Sequence, residues 1–249
     1  MSEFNTTQLN PETAFERHVF HRDQFAHYLR WSFVLNRLSP GSKILDFGCG
    51  SGNLYEVLYR NRYSPERFLG IDIRKQTIDK NKEKFPKAEW LAHNLVDEKF
   101  TENCLSIYGY IGNDWDAICS FEVIEHVNKN NGQIFVNNLA SLCSTKTIVY
   151  LSTPNYDPEV GAADNHIYDG KIQEYTHREL EKLLDTRFEV IEKFGTFASK
   201  RDYYKLLDEP MRQLWDRMHT YWDSNLMANI FAPLFPEESR NCLWVLKLR

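Results

Sequence analysis

A chain of 249 residues with 42% hydrophobic, 26% charged and 14% aromatic residues has the balance of an ordinary globular protein. Its net charge of −5 removes the usual electrostatic footprint of a nucleic-acid binder, although a local patch could survive it. No apolar run approaches the ~20 residues of a membrane helix, and the polar start Met1-Ser2-Glu3-Phe4-Asn5 lacks a signal-peptide pattern.

In chain order, the first forty residues read as helical, with Phe25, Tyr28, Leu29, Phe33, Val34 and Leu38 at three- and four-residue steps. Ser39-Pro40-Gly41-Ser42 ends that stretch. Short apolar runs then alternate with amphipathic ones. Strands are expected at Ile44–Phe47, Phe68–Ile73, Glu89–Ala92, Asp116–Phe121, Thr147–Ser152, Phe188–Phe194 and Cys242–Leu248. Helices are expected around Leu54–Leu58, through the basic cluster Arg74–Lys87, around Gly132–Leu142, and after Thr176-His177-Arg178-Glu179, a capping box. The basic cluster is broken by Asp79 and Glu83 and reads as a solvated helix face.

Alternating strand and helix predicts an α/β, Rossmann-like fold: a seven-stranded, mostly parallel sheet covered on both faces, its last strand antiparallel. We read one domain, with N-terminal helices over 1–40, a cofactor-binding core over 41–197, a helical insertion over 198–238 and the last strand over 239–249. The insertion is crowded with aromatics, among them Tyr203, Tyr204, Trp215, Tyr221 and Trp222. It is expected to wall a pocket for an apolar or planar substrate or to form a homodimer interface. The five cysteines, at 49, 104, 119, 143 and 242, show no C-x-x-C spacing, so neither a zinc cluster nor a disulfide framework is indicated. A reducing, cytoplasmic setting is expected.

The chemistry concentrates where the first strand ends. A strand running into Gly48-x-Gly50-x-Gly52 and then a helix is a nucleotide-binding turn. The dinucleotide fingerprint would need glycine at 53, where this chain has Asn53. Asp46 just before the glycines disfavours a pyrophosphate and suits a cationic ligand. Asp72, twenty residues beyond Gly52, ends the second strand, at the distance where a carboxylate reaches ribose hydroxyls.

Ile44–Leu54 and Gly70-Ile71-Asp72-Ile73 resemble the first two motifs of class I S-adenosylmethionine-dependent methyltransferases. The resemblance implies that the loop of Asp46, Gly48, Cys49, Gly50, Gly52 and Asn53 lies under the methionine and ribose of S-adenosyl-L-methionine. It implies further that Asp72 holds the ribose, that Ile73 packs on adenine, and that His93-Asn94-Leu95 meets the adenine edge. Phe121-Glu122-Val123-Ile124-Glu125-His126-Val127 is similar to the signature of ubiquinone-pathway O-methyltransferases and small-RNA 2′-O-methyltransferases. Ser152-Thr153-Pro154-Asn155 and Glu174-Tyr175-Thr176 resemble stretches of both. The likeness covers roughly residues 40–195.

The end of the fourth strand is where the transferable methyl belongs. His126 is the candidate general base, with Glu122 and Glu125 beside it and Glu122 also facing the cofactor. The same three residues could ligate a divalent metal, as the resemblance to the small-RNA enzymes implies. Those enzymes place a further His where this chain has Lys171, so no metal is expected, although His166 lies five residues earlier. The loop Asp164-Asn165-His166-Ile167-Tyr168-Asp169 is a candidate for substrate contact, whereas His18, His21 and His27 read as structural. The expected activity is methyl transfer to an oxygen of a small or medium-sized organic acceptor. The alternatives are a metal-assisted RNA 2′-O-methyltransferase, or an NAD(P)-dependent oxidoreductase or non-catalytic nucleotide-binding module on the same fold.

Overall fold

The computed structural model describes residues 22–108, 112–162 and 166–249. His18, His21, Asp164 and Asn165 lie outside them. In chain order, α1 (Arg22–Leu35) precedes β1 (Lys43–Phe47), α2 (Asn53–Arg60), β2 (Arg67–Asp72), α3 (Lys75–Lys84) and β3 (Glu89–Ala92). Then come α4 (Phe100–Tyr108), β4 (Ala117–Phe121), α5 (Gly132–Ser141) and β5 (Ile148–Pro154). A small hairpin of β6 (Ile167–Tyr168) and β7 (Lys171–Ile172) leads to α6 (His177–Leu184) and β8 (Phe188–Phe197). The helices α7 (Lys200–Tyr203), α8 (Glu209–His219) and α9 (Ser224–Phe231) precede β9 (Asn241–Leu248).

The main sheet has seven strands in the order β3-β2-β1-β4-β5-β9-β8. β1 to β5 pair in parallel, and β9 runs antiparallel to both β5 and β8. The expected architecture is therefore present, with the last strand inserted between the fifth and sixth large strands. Its central strands are buried on both sides, which is why they read as continuous apolar runs. Alternate residues serve opposite faces. Leu45, Phe47, Ile118 and Leu151 pack in one core cluster, while Ile44, Cys119, Tyr150 and Leu243 pack in another beneath α1 and α2.

The capping box forms as the sequence predicts. The Thr176 hydroxyl accepts from the Glu179 amide at 3.1 Å, and the Glu179 carboxylate accepts from the Thr176 amide at 2.9 Å. In α3 the lysines face solvent while Ile78 and Asn81 turn inward. The insertion holds the four-residue α7 besides the longer α8 and α9, and builds its own core from Tyr203, Leu207, Trp215, Met227 and Phe231. Its last helix, α9, packs on α1.

The chain begins the sheet at β1, moves out to β3, then returns across β1 to β4. That reversal opens a crevice at the carboxyl ends of β1 and β4.

Candidate active site

The crevice is a cavity of about 1100 Å³. One half is built by the glycine loop. Gly48 has φ of +98°, and a Cβ there would meet the Val123 side chain at 2.4 Å; Gly52 has φ of +76° and would meet Trp90 at 2.8 Å. Only glycine satisfies both the left-handed backbone and the close packing. The loop is then tied down from outside. The Gly50 amide donates to Asp72 Oδ2 at 2.9 Å, and Asn81 Nδ2 donates to the Gly50 carbonyl at 2.8 Å.

Asp46 is buried at the base of this half. Burial, and secondarily the Asp72 carboxylate, push it up to about 8, so near neutrality it carries a proton until a cation arrives. Asp72 Oδ1 accepts from the Arg74 amide at 2.9 Å and from Arg74 Nε at 3.1 Å. A ribose at this carboxylate must therefore share it with Arg74, a partner that motif spacing gave no reason to expect. Ile73 lines the cavity yet is 64% exposed, a bare apolar surface suited to a planar ring. Asn94 and Leu95 line the cavity too. His93 stands aside, its Nε2 3.1 Å from Asp97 and its ring edge-on to Phe100.

The other half centres on the end of β4. Glu122 has φ of +55°, a left-handed conformation that a non-glycine residue adopts only when its surroundings enforce it. Both carboxylate oxygens are engaged. Oε1 lies 3.1 Å from Arg30 Nη1 and accepts from the Ser152 hydroxyl at 2.7 Å, while Oε2 accepts from Asn241 Nδ2 at 2.7 Å. Arg30 itself is 1% exposed. Its Nη1 also reaches Asn241 Oδ1 at 3.2 Å, and its Nη2 lies 2.8 Å from His27 Nδ1. Arginine can only donate, so His27 is neutral and accepts at Nδ1. Burial and the Arg30 charge accordingly lower His27 to about 3.

His126 and His166 meet edge to face, with ring centroids 4.6 Å apart. Ligand-capable atoms of Glu125, His126 and His166 all lie within 4.8 Å of one another. Glu125 is buried and accepts from the Thr153 hydroxyl at 2.9 Å. His126 is lowered by burial and by His166, so its imidazole is neutral near neutral pH. On the far side of His166 a fully buried carboxylate, Glu174, stands 3.3 Å from Nδ1, leaving Nε2 buried without a hydrogen-bond partner among the described residues.

Two expectations about this half need correction. Lys171, at the position where the related enzymes place a ligand, is exposed on β7. His166, not Lys171, stands beside His126, because the β6–β7 hairpin reverses at Asp169-Gly170 and carries Lys171 at its tip. And among the described residues no side chain of 198–238 lines the cavity. The wall on that side comes from Ala26, His27, Arg30 and Trp31 of α1, with Phe197, Arg240 and Asn241. Sequence reasoning missed Arg30, Arg240 and Asn241 altogether; the Arg30–Asn241 contact spans 211 positions, and no local pattern reports a contact that distant.

A family model described as "Methyltransferase domain" matches residues 18–209. The chain belongs to that family. It is a methyltransferase that uses S-adenosylmethionine, and the oxidoreductase alternative falls away. Among curated proteins, the methyltransferase is 30% identical over 128 residues to the mitochondrial ubiquinone biosynthesis O-methyltransferase of Dictyostelium discoideum. That match covers 46% of this chain and 36% of the relative. It is also 30% identical over 122 residues to the small RNA 2′-O-methyltransferase of Arabidopsis thaliana, covering 49% of this chain and 13% of the relative. The chain thus spans only a minor part of either protein's length. Among solved structures, it is similar to a TehB-like methyltransferase of Corynebacterium glutamicum, with a TM-score of 0.59 at 15% identity, covering 96% and 94% of the two chains. An S-adenosylmethionine-dependent methyltransferase of Clostridium acetobutylicum has a TM-score of 0.56 at 12% identity, covering 94% and 95%. At such identities the likeness is one of fold. Among the described residues no helix is long and apolar enough to cross a membrane.

Proposed function

We propose that this methyltransferase moves the methyl group to a hydroxyl oxygen of a small or medium-sized organic acceptor, with His126 taking the hydroxyl proton. The observation that carries the reading is the neutral His126 imidazole on the cavity wall, at the end of the strand where the methyl should lie. Methyl transfer is an in-line displacement on a cationic sulfonium, so the protein's tasks are alignment and removal of a proton. His126 begins neutral and can accept that proton. The fixed Glu122 carboxylate faces the same space and favours the imidazolium that forms. Glu125, anchored by Thr153, holds the turn on which His126 sits.

One observation favours a second reading. The donor set of Glu125, His126 and His166 fits a divalent cation, because His166 Nε2 is buried without a hydrogen-bond partner among the described residues while Glu174 supports the opposite nitrogen. A cation there would lower the pKa of an acceptor hydroxyl, as in the metal-assisted RNA alternative. Glu122, fully engaged by Arg30, Ser152 and Asn241, would not be among its ligands.

The deciding experiment is transfer with chelator, then with Mg²⁺ or Mn²⁺ restored. The His126 reading expects turnover to persist in EDTA and to fall at least a hundredfold in His126→Ala. Activity that vanishes with chelator and returns with metal would replace it by the second reading.

A further inference from the structure

Asp72 ends β2 on the cavity wall, and three donors already reach its carboxylate. The Gly50 amide donates to Oδ2 at 2.9 Å, while Oδ1 accepts from the Arg74 amide at 2.9 Å and from Arg74 Nε at 3.1 Å. A carboxylate offers about four lone-pair sites, so one remains open. A ribose diol brings two hydroxyl donors. One of the three present donors must leave before both hydroxyls can be accepted.

The three are not equally held. The Gly50 amide belongs to a loop that Asn81 ties down, with Nδ2 at 2.8 Å from the Gly50 carbonyl. The Arg74 amide is main chain, fixed where the chain enters α3. The Arg74 side chain is 61% exposed, and among the described residues Asp72 is its ion-pair partner. An ion pair so open to water contributes little, so releasing it costs at most about fivefold in an equilibrium. The guanidinium also lies in the ligand's path. Its Nη2 is 3.4 Å from the position a Cβ on Gly50 would take, over the face that the glycine leaves bare.

Local charge returns the side chain to Asp72 when the site is empty. Arg74 is the N-cap of α3, whose first turn holds no acidic side chain, and the helix dipole disfavours an unpaired cation there. Asp79, the nearest carboxylate along the helix, is taken by Lys75 at 2.6 Å.

We propose that Arg74 is an autoinhibitory latch on the cofactor site, its guanidinium occupying the ribose subsite of the free protein until a nucleoside diol displaces it from Asp72. The inference rests on the reading that Asp72 holds the ribose. Binding is then an exchange. The Nε–H bond to Oδ1 breaks, one hydroxyl takes its place, the other takes the open lone pair, and the guanidinium passes to water. The latch weakens any ligand that needs both positions and leaves alone a ligand that needs one.

The test is calorimetric titration of S-adenosylhomocysteine into the full chain and into Arg74→Met. The variant should bind about two- to fivefold more tightly, with a melting temperature close to wild type. The gain should shrink as salt is raised, because salt screens the exposed pair that the wild type must break. Displacement of S-adenosylhomocysteine by adenosine and by 2′-deoxyadenosine gives a readout that a merely structural residue would not move. Adenosine should gain about as much from the substitution, whereas 2′-deoxyadenosine, whose one remaining hydroxyl fits the open lone pair, should gain nothing. Equal or weaker binding of S-adenosylhomocysteine by Arg74→Met, or an equal gain for both nucleosides, would overturn the latch. Asp72→Ala separates this idea from the one beneath it. Unchanged affinity in folded Asp72→Ala removes the ribose reading and the latch together. A loss in Asp72→Ala with no gain in Arg74→Met removes the latch alone.

Discussion

Arg30 on the first described helix and Glu122 at the end of the fourth strand form an ion pair at 3.1 Å, the arginine 1% exposed. The pair fixes a glutamate whose φ of +55° is otherwise unfavourable, and it joins α1 to the carboxyl edge of the sheet. Arg30→Met removes the donor and leaves a partly buried carboxylate to Ser152 and Asn241 alone. We expect a loss of about 1.5–3 kcal/mol, the usual worth of a hydrogen bond to a charged group. Denaturant unfolding reads it directly, and Glu122→Gln in the same chain should recover part of the loss. Unchanged stability in Arg30→Met would mean that the pair holds nothing in place.

Cofactor binding should be linked to a proton at Asp46. Burial raises this carboxyl to about 8 in the free protein, and the cationic methionine end of the cofactor favours its anion. Affinity for S-adenosylhomocysteine should therefore rise with pH towards about 8 and level off above it. The same shift predicts that the cofactor-free protein loses stability between the ordinary carboxyl value of 3.8 and about 8, because in that window the folded state binds more protons than the unfolded one. Calorimetry in buffers of different ionisation enthalpy measures the proton released. Asp46→Asn should abolish the release; a release that persists in that variant belongs to another group.

Much of this arrangement was legible in the sequence, for physical reasons that differ between elements. The buried parallel strands announced themselves as apolar runs such as Ile44–Phe47, and Thr176 with Glu179 announced a helix start, because both signals are local. The glycine loop was legible because positive φ demands a residue type. The half of the cavity at the end of β4 was not. Arg30, Arg240 and Asn241 acquire meaning only once β9 slots between β5 and β8 and brings its start beside α1. The β6–β7 hairpin was likewise too short for periodicity to report, so the register argument placed Lys171 where His166 belongs.

The insertion offers a contrast between packing and binding. Tyr203 is fully buried, stacks on Phe231 and Phe235, and accepts from Trp215 Nε1 at 2.7 Å. Tyr203→Ala should cost about 3–5 kcal/mol in the insertion, as large-to-small aromatic changes in cores do. Because no described residue of 198–238 lines the cavity, affinity for S-adenosylhomocysteine should change less than twofold. Hydrogen exchange should report opening confined to α7, α8 and α9, with any effect on acceptor turnover passing through α9 to α1. Collapse of cofactor binding in this variant would place the insertion in the cofactor site.

The central claim is that the glycine loop and Asp72 hold S-adenosylmethionine, and Asp72→Ala tests it most directly. The carboxylate lies at the end of β2, buried, with Oδ2 on the Gly50 amide and Oδ1 on Arg74. A ribose bound there would take charged hydrogen bonds worth about 1.5–3 kcal/mol each. Calorimetric titration of S-adenosylhomocysteine into wild type and Asp72→Ala, both shown folded by their melting curves, should find affinity at least tenfold weaker in the variant. Equal affinity in a folded Asp72→Ala protein would contradict the account.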